Sequence, residues 1–282
     1  MKKNLFIILF LIFLLSIFFN YLIKFNFCLL PVGFIKNIEA DQETIKINKI
    51  LNITVLCYHN IKEIAENEFD VSVEIFDKQM KFIKENNIES LFASEIVEIL
   101  NEKNLDFFKN KKYVAITFDD GNKGVYTYAK DILRKYNLKA TLYIYPSIIY
   151  SAQKGTKKNY MIFNEIRELL NTGYFELGCH SYYHPYMTKE NEKGLILNTI
   201  GAKDVLYKET GYVPLTFAYP FGLYDNKVIE YVKKAGFSGA FTVERKNIYE
   251  DTDPYKIPRY MITKNTSYKR YIDYFNKKKE KK

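Results

Sequence analysis

The chain has three histidines, and each lies in a segment that looks like chemistry. His180 and His184 occur in Cys179-His180-Ser181-Tyr182-Tyr183-His184-Pro185, and His59 ends the apolar run Val55-Leu56-Cys57-Tyr58. Between them, Val114-Ala115-Ile116-Thr117-Phe118 ends in Asp119-Asp120-Gly121. Two imidazoles four residues apart and an adjacent carboxylate pair are the raw material of a metal-activated hydrolase. The spacing His180-x-x-x-His184 places two rings on one side of a turn. Consecutive residues at a strand end point to opposite sides, so one carboxylate can bind a metal while its neighbour stands beside the activated water. Two His and one carboxylate leave coordination positions open, the pattern of a catalytic Zn²⁺ rather than a structural one. Such an ion brings the pKa of a bound water down to about 7, and a second carboxylate within reach is a natural general base. Taken singly each motif is weak, because acidic pairs also cap turns.

These residues need a scaffold, and the hydrophobic pattern supplies one. From Asn52 onward, short β-branched or aromatic runs alternate with amphipathic stretches. Strands are expected at Ile53–Tyr58, Tyr113–Phe118, Ala140–Tyr145, Phe175–Gly178, Thr216–Tyr219 and Gly239–Val243. Helices are expected at Ile75–Asn86, at Ser94–Asn101 with Ser94 as N-cap, at Val125–Tyr136, and at Asn164–Asn171 closed by Gly173. Two more are expected over Glu192–Gly211 and Asn226–Ala235. This alternation argues for an α/β architecture with a parallel sheet, a barrel of β/α units. In such folds sites collect at the carboxyl ends of strands. His59, Asp119, Asp120 and His180 each follow directly on an expected strand.

The termini differ from this pattern. Lys2-Lys3 precede Leu5–Ile23, an apolar stretch interrupted only by Ser16, Asn20 and Tyr21. About 20 apolar residues cross a bilayer as a helix, and no small-residue cleavage site follows closely. An uncleaved anchor is favoured over a signal peptide. The N-terminal lysines place that end in the cytoplasm and the remainder outside it. The expected organisation is residues 1–23 as membrane anchor, 24–51 as connector, 52–268 as catalytic domain and 269–282 as a basic, solvated tail. Net charge is +9 and concentrates in that tail; no basic stripe recurs within the domain, so nucleic acid is not an expected partner. A monomer is expected. Cys57 and Cys179 each end a strand-like run and read as small buried hydrophobes, although a disulfide between them is open to an extracytoplasmic protein.

Taken together and in order, the motifs carry a family resemblance. Thr117-Phe118-Asp119-Asp120-Gly121 followed by His180-Ser181-x-x-His184-Pro185 resembles the polysaccharide deacetylases, the NodB-homology or carbohydrate esterase family 4 group. It extends through Leu138-Lys139-Ala140-Thr141-Leu142-Tyr143-Ile144, Phe175-Glu176-Leu177-Gly178 and Phe217-Ala218-Tyr219-Pro220-Phe221-Gly222, covering roughly Ile53 to Ile262. The resemblance implies a distorted (β/α) barrel. It implies Asp119 as general base and Asp120, His180 and His184 as ligands of a divalent metal, with Zn²⁺ expected and Co²⁺, Ni²⁺ or Fe²⁺ accepted by the same set. The backbone N–H of Phe221 matches the family's oxyanion donor.

Two departures matter. The late Leu-x-His motif of most members has no counterpart, since no His follows His184, and Ala218 stands where most carry Arg. Tyr58-His59 and Val73-Glu74-Ile75-Phe76-Asp77-Lys78-Gln79-Met80 resemble instead the branch acting on poly-β-1,6-N-acetylglucosamine, where the motif order is permuted. There an early His supplies the acid, which makes His59 the candidate proton donor. Arg259, in Ile257-Pro258-Arg259-Tyr260, is a candidate replacement for the missing Arg, orienting Asp119. The resulting expectation is a metal-dependent hydrolase removing N-acetyl groups from a cell-surface polysaccharide. Peptidoglycan and chitin-like oligomers are alternative substrates. A non-catalytic glycan-binding protein on the same barrel is the competing class, and a broken ligand set would mark it.

Overall fold

A computed structural model describes residues 49–102 and 111–276. The expected anchor, most of the connector and the last residues of the tail lie outside them. Among the described residues no helix is long and apolar enough to cross a membrane.

The elements in chain order are β1 (Ile53–Tyr58), β2 (Asn60–Lys62), β3 (Asp70–Ser72), α1 (Val73–Glu85), β4 (Glu89–Leu91), α2 (Ala93–Asn101), β5 (Tyr113–Asp119), α3 (Lys130–Tyr136, entered through a π-helical turn at Val125–Ala129), β6 (Ala140–Ile144), α4 (Pro146–Gln153), α5 (Phe163–Asn171) and β7 (Phe175–Cys179). There follow α6 (Glu192–Ile196), continued through a π-helical turn at Leu197–Gly201 into α7 (Ala202–Thr210), then β8 (Thr216–Ala218), α8 (Asn226–Lys234), β9 (Gly239–Phe241), β10 (Tyr260–Met261) and α9 (Tyr268–Asp273). The main sheet has the order β10-β1-β5-β6-β7-β8-β9, with β4 beside the first half of β5, and its pairings are all parallel.

This is the curled parallel sheet of an α/β half-barrel. Its two edges are joined by one irregular segment. Ile257 N–H bonds Ala240 O and Thr242 N–H bonds Ile257 O on the β9 side. A few residues on, Tyr260 and Met261 pair with Leu56 and Cys57 of β1.

Because strand side chains alternate, the main strands divide their apolar residues between two cores. Leu56, Tyr58, Ile116, Phe118, Leu142, Ile144, Leu177, Cys179 and Phe217 face outward into the layer under the helices. Ile53, Val55, Ala115, Tyr143, Ala218 and Phe241 face inward, where α2 plugs the lower end with Ala93, Ile96 and Val97. Cys57 shares the inward parity and Cys179 the outward one. Both are buried and free, so the disulfide that the sequence left open is not formed.

Several expectations shift. Ser94 does not cap α2. Phe92 is the N-cap residue, and the Glu95 carboxylate accepts its N–H at 2.6 Å. The Ser94 hydroxyl instead donates to Glu176 Oε2 at 2.5 Å, inside the sheet. The folded domain also begins before Asn52 and ends after residue 268. Leu51 is buried and its N–H bonds Ile248 O. At the other end Tyr271, Tyr274 and Phe275 are buried, with Tyr271 Oη donating to Gln79 O and Thr54 Oγ1 to Tyr274 O. Charge counting hid these rings: Lys269 and Arg270 beside them are exposed, while the aromatics pack on α1 and β1.

One packing constraint bears directly on the site. A Cβ on Gly178 would lie 2.4 Å from the Tyr143 ring, so β7 must carry glycine where that ring crosses. Gly178→Ala should overpack the inner layer by about 1–3 kcal/mol and lower the midpoint of thermal unfolding by about 2–4 °C per kcal/mol. Unchanged melting would mean that Tyr143 can move aside freely.

Candidate active site

All main strands are parallel, so their carboxyl ends gather at one end of the sheet. His59 follows β1, Asp119 closes β5, Tyr145 follows β6, His180 follows β7 and the turn Pro220–Gly222 follows β8. The sequence placed His59, Asp119, Asp120 and His180 at strand ends, and the fold brings them together. Ligand atoms of Asp120, His180 and His184 all lie within 4.8 Å of one another, as do those of Cys57, His59 and Asp119.

Asp119 is inward-facing by strand parity. Its neighbour would point away in an extended chain, but Asp120 adopts φ +73°. This left-handed turn sends both carboxylates toward His180, with Asp119 Oδ2 3.8 Å and Asp120 Oδ1 3.7 Å from His180 Nε2. The expectation of opposite directions therefore fails at this bend. Positive φ recurs at Ser181, His184 and Phe221. Each such non-glycine residue costs on the order of 1–3 kcal/mol and persists only where its surroundings hold it.

The surroundings are identifiable. His184 N–H donates to Ser181 Oγ at 2.9 Å. Asn198, buried in the turn between α6 and α7, accepts the N–H groups of Tyr182 and Tyr183 at 3.1 and 3.0 Å and donates to Gly194 O. The loop carrying both histidines is thus fixed from a neighbouring helix.

The donor set fits a divalent cation. His180 Nδ1 lies 2.7 Å from Ala218 O; donation there fixes the tautomer that leaves Nε2 as an acceptor facing the cleft. Burial drives His180 down to about 3 and also lowers His184, so both rings are neutral and ligand-competent at pH 7. Asp120 is pushed up to about 6, chiefly by burial, and its Oδ1 is buried with no hydrogen-bond partner. An atom so placed calls for a cation. Asp120 Oδ1 stands 3.7 Å from His180 Nε2 and 3.6 Å from His184 Nε2, close to the ~3.4 Å edge of a tetrahedron with ligands at about 2.1 Å.

Asp119 is held differently. Arg259, fully buried, forks onto it with Nη1 to Oδ1 at 2.7 Å and Nη2 to Oδ2 at 2.8 Å. It also donates from Nε to Thr242 O and from Nη1 to Thr117 Oγ1, and its guanidinium lies over the Tyr143 ring, 5.3 Å from the centroid. Burial alone would raise the Asp119 carboxyl, but the Arg259 charge and then His180 outweigh it and hold it well below the usual range. Arg259 comes from the segment joining the sheet edges, so a candidate named only by its sequence context becomes the counter-ion of Asp119.

Sequence reasoning missed one polar contact. Cys57, read as a small hydrophobe, donates its S–H to Asp119 Oδ2 at 3.4 Å. The signal was available, since Cys57 is two residues from His59. His59 itself is half-buried, packs on Phe69 with ring centroids 4.8 Å apart, and faces a cavity of about 660 Å³ that also reaches Asp120, Asn122, Lys123 and Tyr160. Phe221 borders the other side of the cleft. Its ring lies 4.6 Å from that of His184 and stacks on Tyr186.

Known proteins resemble this chain in sequence and in fold. The family model described as Polysaccharide deacetylase matches residues 108–240. The chain is 28% identical over 221 residues to the poly-beta-1,6-N-acetyl-D-glucosamine N-deacetylase of Staphylococcus aureus, covering 76% of this chain and 74% of that protein. Among solved structures, the Streptococcus pyogenes deacetylase PplD in complex with acetate superposes with a TM-score of 0.71 at 22% identity, covering 80% of this chain and 99% of that one. IcaB from Ammonifex degensii gives 0.68 at 21%, covering 81% and 98%. At these identities the two structures establish likeness of fold.

The Asp119–Arg259 pair yields a test. A carboxyl whose folded pKa is depressed contributes stability above its unfolded value of about 4 and loses it as pH falls through and below that value. In metal-free protein Arg259→Met should cost about 3–5 kcal/mol at pH 7, because a buried carboxylate is left uncompensated. The deficit should shrink as pH is lowered toward ~4 and Asp119 takes up a proton. Urea unfolding across that range measures it, and a deficit independent of pH would refute the electrostatic account.

Proposed function

We propose that this chain, which carries a polysaccharide deacetylase domain and is a hydrolase of carbon–nitrogen bonds other than peptide bonds, removes N-acetyl groups from a cell-surface polymer of N-acetylglucosamine in a metal-dependent reaction. The observation that carries the reading is the pairing of two donor sets on one cleft, Asp120–His180–His184 beside Cys57–His59–Asp119. Poly-β-1,6-N-acetylglucosamine is the favoured polymer. The early Tyr58-His59 motif supports that choice, as does likeness to a protein named for that substrate.

Asp120, His180 and His184 would hold the ion, with Zn²⁺ expected. When bound, it supplies Lewis acidity that acidifies water and polarises the acetamide carbonyl. Asp119 accepts the water proton as oxygen attacks the carbonyl carbon. Arg259 keeps Asp119 ionised and fixes its plane, so the acceptor is aimed before substrate arrives. The Phe221 backbone N–H serves as donor to the oxygen that gains charge. His59 gives a proton to the departing nitrogen as the C–N bond breaks, leaving acetate and a free amino sugar.

The full-length chain in mild detergent, loaded with Zn²⁺, should release acetate from poly-β-1,6-N-acetylglucosamine faster than from peptidoglycan or chitin oligomers. Asp119→Asn should lower the rate by roughly 100- to 10,000-fold while still binding metal, and His59→Ala should lower kcat by at least roughly 100-fold. A near-wild-type His59→Ala would remove it from the acid role, and faster release from another polymer would reassign the substrate.

The same proposal places the domain outside the cytoplasmic membrane, tethered by Leu5–Ile23 with the N-terminus inside; the apolar length of that stretch supports it. Full-length protein should remain with membranes through alkaline washing and be cleaved from intact protoplasts by external protease. Release by the wash would refute the tether.

A further inference from the structure

The deacetylase reading leaves the Cys57 thiol without a task. It points inward from β1 with Sγ 3.4 Å from Asp119 Oδ2, and a ring nitrogen of His59 lies within 4.8 Å of both. Thiolate, imidazole and carboxylate are ligand types of zinc and of softer ions. The separation fits a shared ion. Metal–sulfur and metal–oxygen bonds of about 2.3 and 2.0 Å at a tetrahedral angle put S and O about 3.5 Å apart. An ion could therefore take the place of the thiol proton with little movement of either side chain. His59 adds a second observation: its Nδ1 is shut from solvent and, among the described residues, has no hydrogen-bond partner, where a buried ring nitrogen is ordinarily satisfied.

We propose that Cys57, His59 and Asp119 form a second cation site, separate from Asp120–His180–His184, which takes a soft divalent ion such as Cd²⁺, or Zn²⁺ in excess. Binding exchanges one proton for one metal–sulfur bond. The thiol gives up H⁺ to water, the thiolate donates its electron pair to the ion, and nothing is oxidised or reduced.

The electrostatics select the ion. Arg259 lies 2.7 Å from Asp119 and opposes a further positive charge, so the carboxylate alone cannot hold a hard cation there. The thiolate supplies the missing negative charge and a bond that favours sulfur-seeking ions over Mg²⁺ or Ca²⁺. Cys57 is fully buried, and the neighbouring cavity opens onto His59 and Asp120, so the ion must pass His59 to reach the thiol. Occupancy ties up Asp119 and His59 together, so it inhibits. That consequence rests on the acid and base roles proposed above, whereas the binding does not.

The test uses the full-length chain in detergent, stripped of metal and titrated with Cd²⁺. The ultraviolet thiolate-to-cadmium charge-transfer band reports sulfur ligation, and equilibrium dialysis reports stoichiometry. Wild type should bind two ions per chain and develop the band. Cys57→Ser should bind one ion without it, and His184→Ala should keep it. A variant lacking Cys28 and Cys179 but retaining Cys57 should still show the band, a reading that needs no change in the site. Acetate release by the Zn²⁺-loaded enzyme should fall with added Cd²⁺, with a midpoint at least tenfold higher in Cys57→Ser. No band in wild type, a band that survives Cys57→Ser, or a single bound ion per chain would overturn the second site. If the band behaves as stated but no polymer yields acetate, the deacetylase reading fails and the cation site stands.

Discussion

A carboxylate sealed inside a protein must be given a partner, and Asp119 is given Arg259. The fork between them is buried, and much of the upper half of the sheet exists to make it possible. Thr242 O and Thr117 Oγ1 accept two of the three remaining guanidinium donors. Tyr143 lies beneath the cation, its hydroxyl paired with Thr216 Oγ1, and Gly178 leaves room for its ring. Buried ion pairs are weak contributors to net stability, because desolvation consumes most of the attraction. What this pair secures is direction. With the Asp119 plane fixed, the cleft above it can be arranged around a known orientation.

Strand parity organises the rest. On β5 the inner face passes from Tyr113 and Ala115 to Thr117 and Asp119, whereas β6, β7 and β8 carry Thr141, Glu176 and Thr216 first and Tyr143, Gly178 and Ala218 after them. Thr117, Thr141 and Thr216 are buried and their hydroxyls find partners inside the sheet, while the paired carboxylates stand at the carboxyl end of β5. Positive-φ residues cluster at the same end. The site is therefore local strain and buried charge resting on a regular β/α scaffold that can bear both.

Much of this was legible in the chain. Periodicity gave the main strands to within a residue or two, and the strand-end positions of His59, Asp119, Asp120 and His180 followed from it. What escaped depends on contacts distant in sequence. Arg259 meets Asp119 across 140 residues, through an irregular segment with no periodic signal. Ser94 looked like a cap because local pattern cannot reveal Glu176 from β7. The direction of Asp120 needed its left-handed backbone, and the packing of Tyr271 and Phe275 was masked by the exposed Lys269 and Arg270 of the same short segment. Short elements such as β2, β3, α4 and α9 carry too few residues for a period to show.

The segment Ile257–Met261 joins the edges of the sheet and also carries Arg259. Seam and counter-ion are thus one piece of chain, and it is synthesised after every other residue of the cleft described above. A ribosome that has released His184 has already delivered Asp119, Asp120 and both metal-type histidines, yet no cation to balance Asp119. Until that segment arrives, closing the sheet would trap a bare charge. The order of synthesis therefore opposes premature closure, and the cleft is completed only once Arg259 has been added.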